Sequence, residues 1–390
     1  MQELVYPKEQ KVKFDLFFIG MCLLILLSVF NTSQYGATLS WILVPIGLLI
    51  VGRLLTRDFG VRISTLLILL FYAVFCISTA ISPLVEIKRD VFTFGILCLA
   101  YMTATSYRYS TVQVKFLLNA YVVSAVVVSL FILLAWVTGD YYSDWHQRAS
   151  FKFLGVYKDP NYVMAYVVPT IVITVFKIIK NQDKKQRMIN VAACVVLITA
   201  MLATGSRSAL LAFVFALLVM LAFMNIDASK KVKLFISIGA VGVLTVIIVF
   251  AVIPSHVTDR LFSLDSGGRF ELWGAALTAF LDYPVLGGGM NAASMQASLA
   301  AGLGSHNVYL DILCGSGIVG SLLFIVFFVT SCCRCRKQNR GFLYGMVVAS
   351  MMPMFFINGF NTVTFYLPLI LLTVLSIYCN MSHSDLSEIL

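Results

Sequence analysis

The 390 residues carry a net charge of +10, with 60% of them apolar and only 12% charged, and the mean hydropathy is +0.93. No soluble globular surface can be built from that composition, so the chain reads as a polytopic membrane protein. A basic excess of this size also suits a nucleic-acid binder, but the positions of the charges assign it to membrane topology and leave no nucleic-acid partner.

A hydrocarbon core about 30 Å thick needs roughly 20 apolar residues per helix. In chain order such runs fall at 14–31, 38–54, 63–82, 91–105, 114–138, 161–180, 188–204, 207–225, 232–253, 306–330, 341–358 and 362–380. They predict an all-α fold of about twelve transmembrane helices, forming a single domain over 1–390. A barrel would instead show alternating strands of about ten residues, and lipid requires every backbone group to be paired inside its own helix. The first run is not read as a cleaved signal peptide, because no small-residue cleavage site follows it.

With a cytoplasmic N-terminus, 20 of the 28 lysines and arginines fall on inner segments, as the positive-inside rule requires. Residues 254–305, between the ninth and tenth helices, then form one large extracytoplasmic loop. Within it, Phe270, Trp273, Leu277 and Phe280 have helical spacing and predict an amphipathic helix over 269–281 at the outer interface. Pro284 ends it, and Gly287, Gly288 and Gly289 predict a tight, flexible turn.

The nine cysteines carry little. Six lie inside apolar runs, where a thiol behaves as a small hydrophobe, and no outer loop holds one, so that face has no disulfide framework. Cys332, Cys333 and Cys335 lie in a basic inner turn, and three thiols so spaced do not make a four-ligand zinc site.

The chemistry is expected where helices begin at the outer face. The helices starting near Asn161, Arg207 and His306 all run inward, so their positive dipole ends and unpaired N–H groups face out and favour phosphate. Asp159-Pro160-Asn161 opens one, Thr204-Gly205-Ser206-Arg207 the next, and Ser305-His306-Asn307 the third, with Ser305 as its expected N-cap. Arg148 and Arg269 lie in adjoining outer loops, and guanidinium groups grip phosphate oxygens in a bidentate fork. Snorkelling is the ordinary alternative for Arg207, but basic residues are disfavoured on this side and the turn before it is short. Asp311, about one turn into its helix, needs a partner, either a nearby arginine or His306. Arg260, Lys152 and Lys158 read as solvated charges.

Four stretches carry a family resemblance: RASFKFLGVYKDPNYVMAYVVP at 148–169, TGSRSALLAF at 204–213, GRFELWGAALTAFLDYPVLGGG at 268–289 and SHNVYLDILCGSGIVG at 305–320. In order and membrane side they resemble the core of the O-antigen ligase and Wzy-type polysaccharide polymerase superfamily. The resemblance implies a glycosyltransferase of the bacterial cytoplasmic membrane, acting on its extracytoplasmic face. Its donor would be an undecaprenyl-pyrophosphate-linked oligosaccharide and its acceptor a sugar chain, with membrane lipid, a flippase and a chain-length regulator as partners. Arg207 and Arg269 would stabilise charge growing on the pyrophosphate, and His306 would accept the acceptor's proton. Arg148, Asn161, Asn307 and Asp311 would bind substrate, and direct attack would invert the anomeric centre.

No cofactor is expected, and no metal either, because the first outer loop (31–38) holds no acid and no closely spaced outer acidic pair occurs. Polymerase is preferred to ligase, since the acceptor-side loop is modest. A transporter or lipid-linked sugar flippase would place ionisable groups near the midplane, and the span interiors hold almost none.

Overall fold

The computed structural model describes residues 14–31, 39–56, 62–84, 88–143, 148–153, 156–180, 183–229, 231–233, 236 and 268–380. Most of the expected span at 232–253, Arg260 and most of the 31–38 loop lie outside the described residues. Helices are α1 (Leu16–Ser28), α2 (Leu39–Thr56), α3 (Ile63–Ile81), α4 (Lys88–Ser106), α5 (Thr111–Thr138), α6 (Pro160–Lys180), α7 (Lys184–Ala203), α8 (Arg207–Phe223), α9 (Arg269–Asp282), α10 (Ala292–Ala301), α11 (Val308–Cys332), α12 (Arg340–Met351) and α13 (Val363–Asn380). Helix therefore occupies eleven of the twelve expected segments. Among the described residues six helices, α3, α5, α6, α7, α11 and α13, are long and apolar enough to cross a membrane by length and composition.

Local chemistry sets the ends. Asp15 caps α1 by accepting from Phe18 N at 2.7 Å, Ser110 and Gln113 form a reciprocal capping box on α5, and Asp183 caps α7. The left-handed Gly139 (φ 72°) closes α5. Helices α6 and α13 form the centre, with 83% and 89% of their apolar windows buried, against 33% for α3. Peripheral helices turn apolar side chains outward, as at Val123, Leu134 and Val137 of α5. That pattern suits a hydrocarbon solvent.

The bundle is not purely helical. Between α5 and α6 lie two short antiparallel pairs, β1 (Tyr141–Ser143) with β2 (Arg148–Ala149) and β3 (Lys152–Phe153) with β4 (Val156–Tyr157). They fold the 148–159 segment back over the end of the bundle, with Lys158 N donating to Phe151 O at 3.1 Å. The expected span at 341–358 is also interrupted: α12 ends at Met351, and Met352–Phe356 continues as a 3₁₀ turn that includes Pro353. A proline removes an N–H and cannot continue the ladder.

The segment after α9 is not the flexible turn that three glycines suggested. Gly288 N donates to Cys314 O at 2.7 Å, Gly289 N to Gly315 O at 3.1 Å, Ile318 N to Pro284 O at 2.9 Å and Val319 N to Val285 O at 3.2 Å. Helix α11 breaks at Gly317 (φ 63°, ψ −164°), and the 284–289 segment takes up the backbone groups freed there. A Cβ at Gly287 would stand 2.4 Å from Gly315 C, and one at Gly317 would stand 2.3 Å from Val285 O. Glycine here permits close backbone approach. Ser78 of α3 locks the contact, its Oγ within 2.8 Å of both Gly287 O and Gly315 O.

Helices α9 and α10 dock on α11 through a small apolar cluster of Leu272, Ala276, Ala279, Ala292, Ala293, Ala297 and Cys314. Only half of the stripe read from the sequence reaches the docking face: Trp273 and Phe280 pack against this cluster. Phe270 is 71% exposed and Leu277 37%, whereas the packed face is Leu272, Ala276 and Ala279, because small residues let two helices approach closely.

Candidate active site

Three helix starts and the loop before α13 meet at one end of the bundle. At the first, Asp159 Oδ1 accepts from Asn161 N at 2.7 Å, and Pro160 occupies the first helical position, where its missing N–H costs nothing. Asn161 Oδ1 accepts from Arg148 at 3.1 Å and from Ser206 Oγ at 3.0 Å. Arg148 Nε also donates to Thr204 O at 3.0 Å. Arg148 is buried, so its guanidinium ties β2 to the starts of α6 and α8. Asn161, expected to touch substrate, gives its side-chain oxygen to this junction.

Arg207 is the first residue of α8, directly after Ser206, and is partly exposed. The Ser206 side chain does not cap α8; it bonds Asn161 and stands 3.2 Å from Ser208 Oγ. The first turn of α8 is thus anchored to α6, and Arg207 is carried beside that anchor.

The third start differs from the expectation at its cap. Asn307, not Ser305, is the N-cap of α11, its Oδ1 accepting from Tyr309 N at 3.0 Å and Leu310 N at 3.2 Å. Ser305 instead donates to Asp311 Oδ1 at 2.7 Å. Asp311 is buried, and the partners holding it are neither an arginine nor the His306 ring. Ser294 Oγ also donates to its Oδ1 at 3.1 Å, and Gly359 N to its Oδ2 at 3.0 Å. Its carboxylate therefore pins α10, the approach to α11 and the 358–362 loop to one another.

His306 stands just outside α11 with φ 47°, a left-handed conformation for which histidine is among the enriched non-glycine residues. Its backbone N–H donates to Asn358 Oδ1. Asn358 N accordingly points elsewhere, to Tyr162 Oη of α6 at 2.9 Å, and Gly304 lets the chain pass, since a Cβ there would lie 2.6 Å from Asn358 Nδ2. Asn358 is thus the hub joining the His306 turn to α6. It went unnoticed in the sequence, where Asn358-Gly359 marks only the end of an apolar run.

Charge around the imidazole is mixed. Burial, then the Arg269 guanidinium, hold the His306 pKa below its ordinary value, and Asp159 opposes them. Arg269 opens α9 and lies over the Phe356 ring, 5.1 Å from Cζ to the centroid. His306, Arg269 and Asp159 therefore share one electrostatic neighbourhood, linked through Tyr162 and Asn358 to the Arg148–Asn161–Ser206 junction.

Two residues taken as solvated charges separate. Lys152 is exposed and pairs with Asp140 at 2.6 Å, a surface contact of small worth. Lys158 is only 1% exposed, with Nζ 5.8 Å from the Phe153 ring centroid and its pKa lowered by burial. The β2–β4 fold covers a residue that an unstructured loop would have left in water.

Buried helices with lipid-suited exteriors, carrying cationic and imidazole side chains together at one end, define a multi-pass membrane protein with a polar site at that end. Residues 192–325 match the family described as O-antigen ligase. The resemblance read from the sequence is borne out over that stretch, and the match supports a membrane polysaccharide polymerase or ligase. No curated protein matches the chain.

Proposed function

We propose that this chain is a metal-independent, inverting glycosyltransferase that polymerises lipid-linked oligosaccharide repeat units at the extracytoplasmic face of the bacterial cytoplasmic membrane. The observation that carries the reading is the placement of His306 in the field of Arg269 and Asp159, inside a stretch that matches the O-antigen ligase family. In this reading the acceptor hydroxyl gives its proton to the His306 imidazole while its oxygen attacks the anomeric carbon. The bond from that carbon to the pyrophosphate oxygen breaks, and the electron pair stays on the pyrophosphate of an undecaprenyl carrier. Arg207 and Arg269 stabilise that growing charge more than they stabilise the bound donor. Arg148, Asn161, Asn307 and Asp311 hold the loops in register, and a flippase and a chain-length regulator serve as partners.

A base works only when deprotonated, so activity falls as pH drops through the His306 pKa. The lowered value extends activity below the ordinary midpoint of about 6.5. Arg269→Gln removes a charge that repels the proton and is expected to move the acid limb of kcat/KM upward in pH; Asp159→Asn is expected to move it downward. An acid limb unmoved by both would detach His306 from proton transfer.

The family description itself favours a second reading, ligation of the finished chain to a final acceptor. Purified protein in liposomes with chelator, given lipid-linked repeat unit as donor and either a second repeat unit or lipid A core as acceptor, separates the two. Lengthening of the repeat supports polymerase, transfer to core supports ligase, and transfer to neither removes both. Activity abolished by chelator alone would end the metal-free mechanism. A transporter reading draws on the break at Gly317, since transporters bind ions at interrupted helices; here the 284–289 segment fills the break.

A further inference from the structure

At the opposite end of the bundle lies a second polar feature that the proposed chemistry leaves unused. Helix α3 runs from its start at Ile63 to the Ser78 and Ser82 contacts with 287–288, a distance of about 28 Å at 1.5 Å per residue. Around its start is a cavity of about 310 Å³, lined by Arg62, Ser64, Ser331, Arg334, Thr373 and Asn380 among others. That volume is at the lower end of the range of about 300–1,000 Å³ typical of small-molecule sites.

The cavity is built as an anion site. Arg62 is the N-cap residue of α3 and makes no side-chain cap bond; Thr65 N already donates to Arg62 O at 2.9 Å, so among the described residues the Ile63 and Ser64 N–H groups are the ones left to face a ligand. Arg334 also lines the cavity, its backbone fixed by a carbonyl that accepts from Ser376 Oγ at 2.6 Å and from Asn380 Nδ2 at 3.0 Å. Ser64, Thr373 and Ser376 add to the polar lining. Among the described residues no carboxylate lines the cavity. The charged neighbours that act on Arg62 are Arg108 and Arg53, which together with burial pull its pKa down while leaving it charged.

The ends of α11 and α13 also reach this cavity, and helix C-termini repel anions. Their two dipole ends amount to roughly one negative charge, which the α3 N-terminus offsets by about half. Two full positive charges on Arg62 and Arg334 outweigh that remainder. Mere solvation would account for scattered arginines, but two that line one cavity, with no carboxylate beside them among the described residues, suit an anion.

We infer that this cavity binds a phosphate group at the end of the bundle remote from the candidate active site, either the headgroup phosphate of an anionic lipid or a free phosphate. Basic pockets between transmembrane helices are suited to such headgroups.

The test uses full-length protein in phosphatidylcholine nanodiscs doped with phosphatidylglycerol, with retained lipid counted by native mass spectrometry and melting followed against added inorganic phosphate. Three variants are compared: Arg62→Gln/Arg334→Gln, Arg334→Gln alone as an exposed single change in case the double variant fails to fold, and Lys184→Gln/Arg187→Gln as a charge-matched control outside the cavity. Two juxtamembrane arginines predict roughly 30-fold weaker phosphatidylglycerol retention in the double variant, a smaller loss in the single variant, and near-normal retention in the control. Retained phosphatidylglycerol identifies the lipid headgroup. A melting shift with inorganic phosphate that the cavity variants lose identifies the free anion. Equal loss in the control, or neither retention nor shift in the parent protein, overturns the site.

Discussion

His306→Ala is expected to lower transfer about 10²–10⁴-fold, the usual contribution of a positioned general base, while leaving donor binding nearly unchanged. The asymmetry follows from what the imidazole would touch. It acts on the acceptor's proton in the transition state, whereas the donor's pyrophosphate is charged before reaction begins. Backbone geometry demands a companion variant, because His306 has φ 47° and its N–H is bonded to Asn358. His306→Asn removes the base while keeping a residue that tolerates the left-handed region, so it should lose as much activity with the turn intact. The measurements are single-turnover transfer and donor binding in reconstituted membranes. Full turnover in His306→Asn would make His306 a turn residue and return proton transfer to solvent or to another group.

What could be read before folding was governed by the length scale of each signal. Apolar runs about as long as a bilayer is thick permit little but helix, and helix takes up most of what is described of those segments. Helix α9 (Arg269–Asp282) coincides with the 269–281 stretch to within a residue, because Pro284 and the glycines beyond it punctuate the chain locally. Which face of α9 packs was only half legible, through Trp273 and Phe280, which do reach the cluster. Phe270/Leu277 and Leu272/Ala276/Ala279 both satisfy helical spacing, and the choice is made by close approach to α10, which favours the alanines.

The same limit applies in the candidate site. Ser305 and Asn307 are both good caps two residues apart, and only the buried Asp311, which takes the Ser305 hydroxyl, decides between them. Asn358 stands 52 residues from the His306 backbone that it holds, and no local pattern announces such a contact. Arg148 and Asn161 were recognisable as polar residues at an outer helix start. Their use on each other and on Ser206 depends on the neighbouring helix α8.

Arg207→Lys is expected to reduce activity about 10- to 100-fold, the worth of one charge-assisted hydrogen bond of about 1.5–3 kcal/mol, with insertion and expression unchanged. Lysine keeps the positive charge and the reach to the headgroups but loses the planar fork. A residue that only snorkels should therefore tolerate the exchange, and a residue gripping two phosphate oxygens should not. Position sharpens the contrast, since Arg207 opens α8 beside the Ser206–Asn161 bond, which fixes its backbone against α6 in either variant. Unlike His306→Ala, this change should also weaken donor binding, because the charge it contacts is present in the ground state. Polysaccharide chain length in cells and donor affinity in liposomes read the two effects separately. Near-normal chain length with unaltered donor affinity would make Arg207 an interfacial anchor and leave Arg269 as the sole proposed clamp.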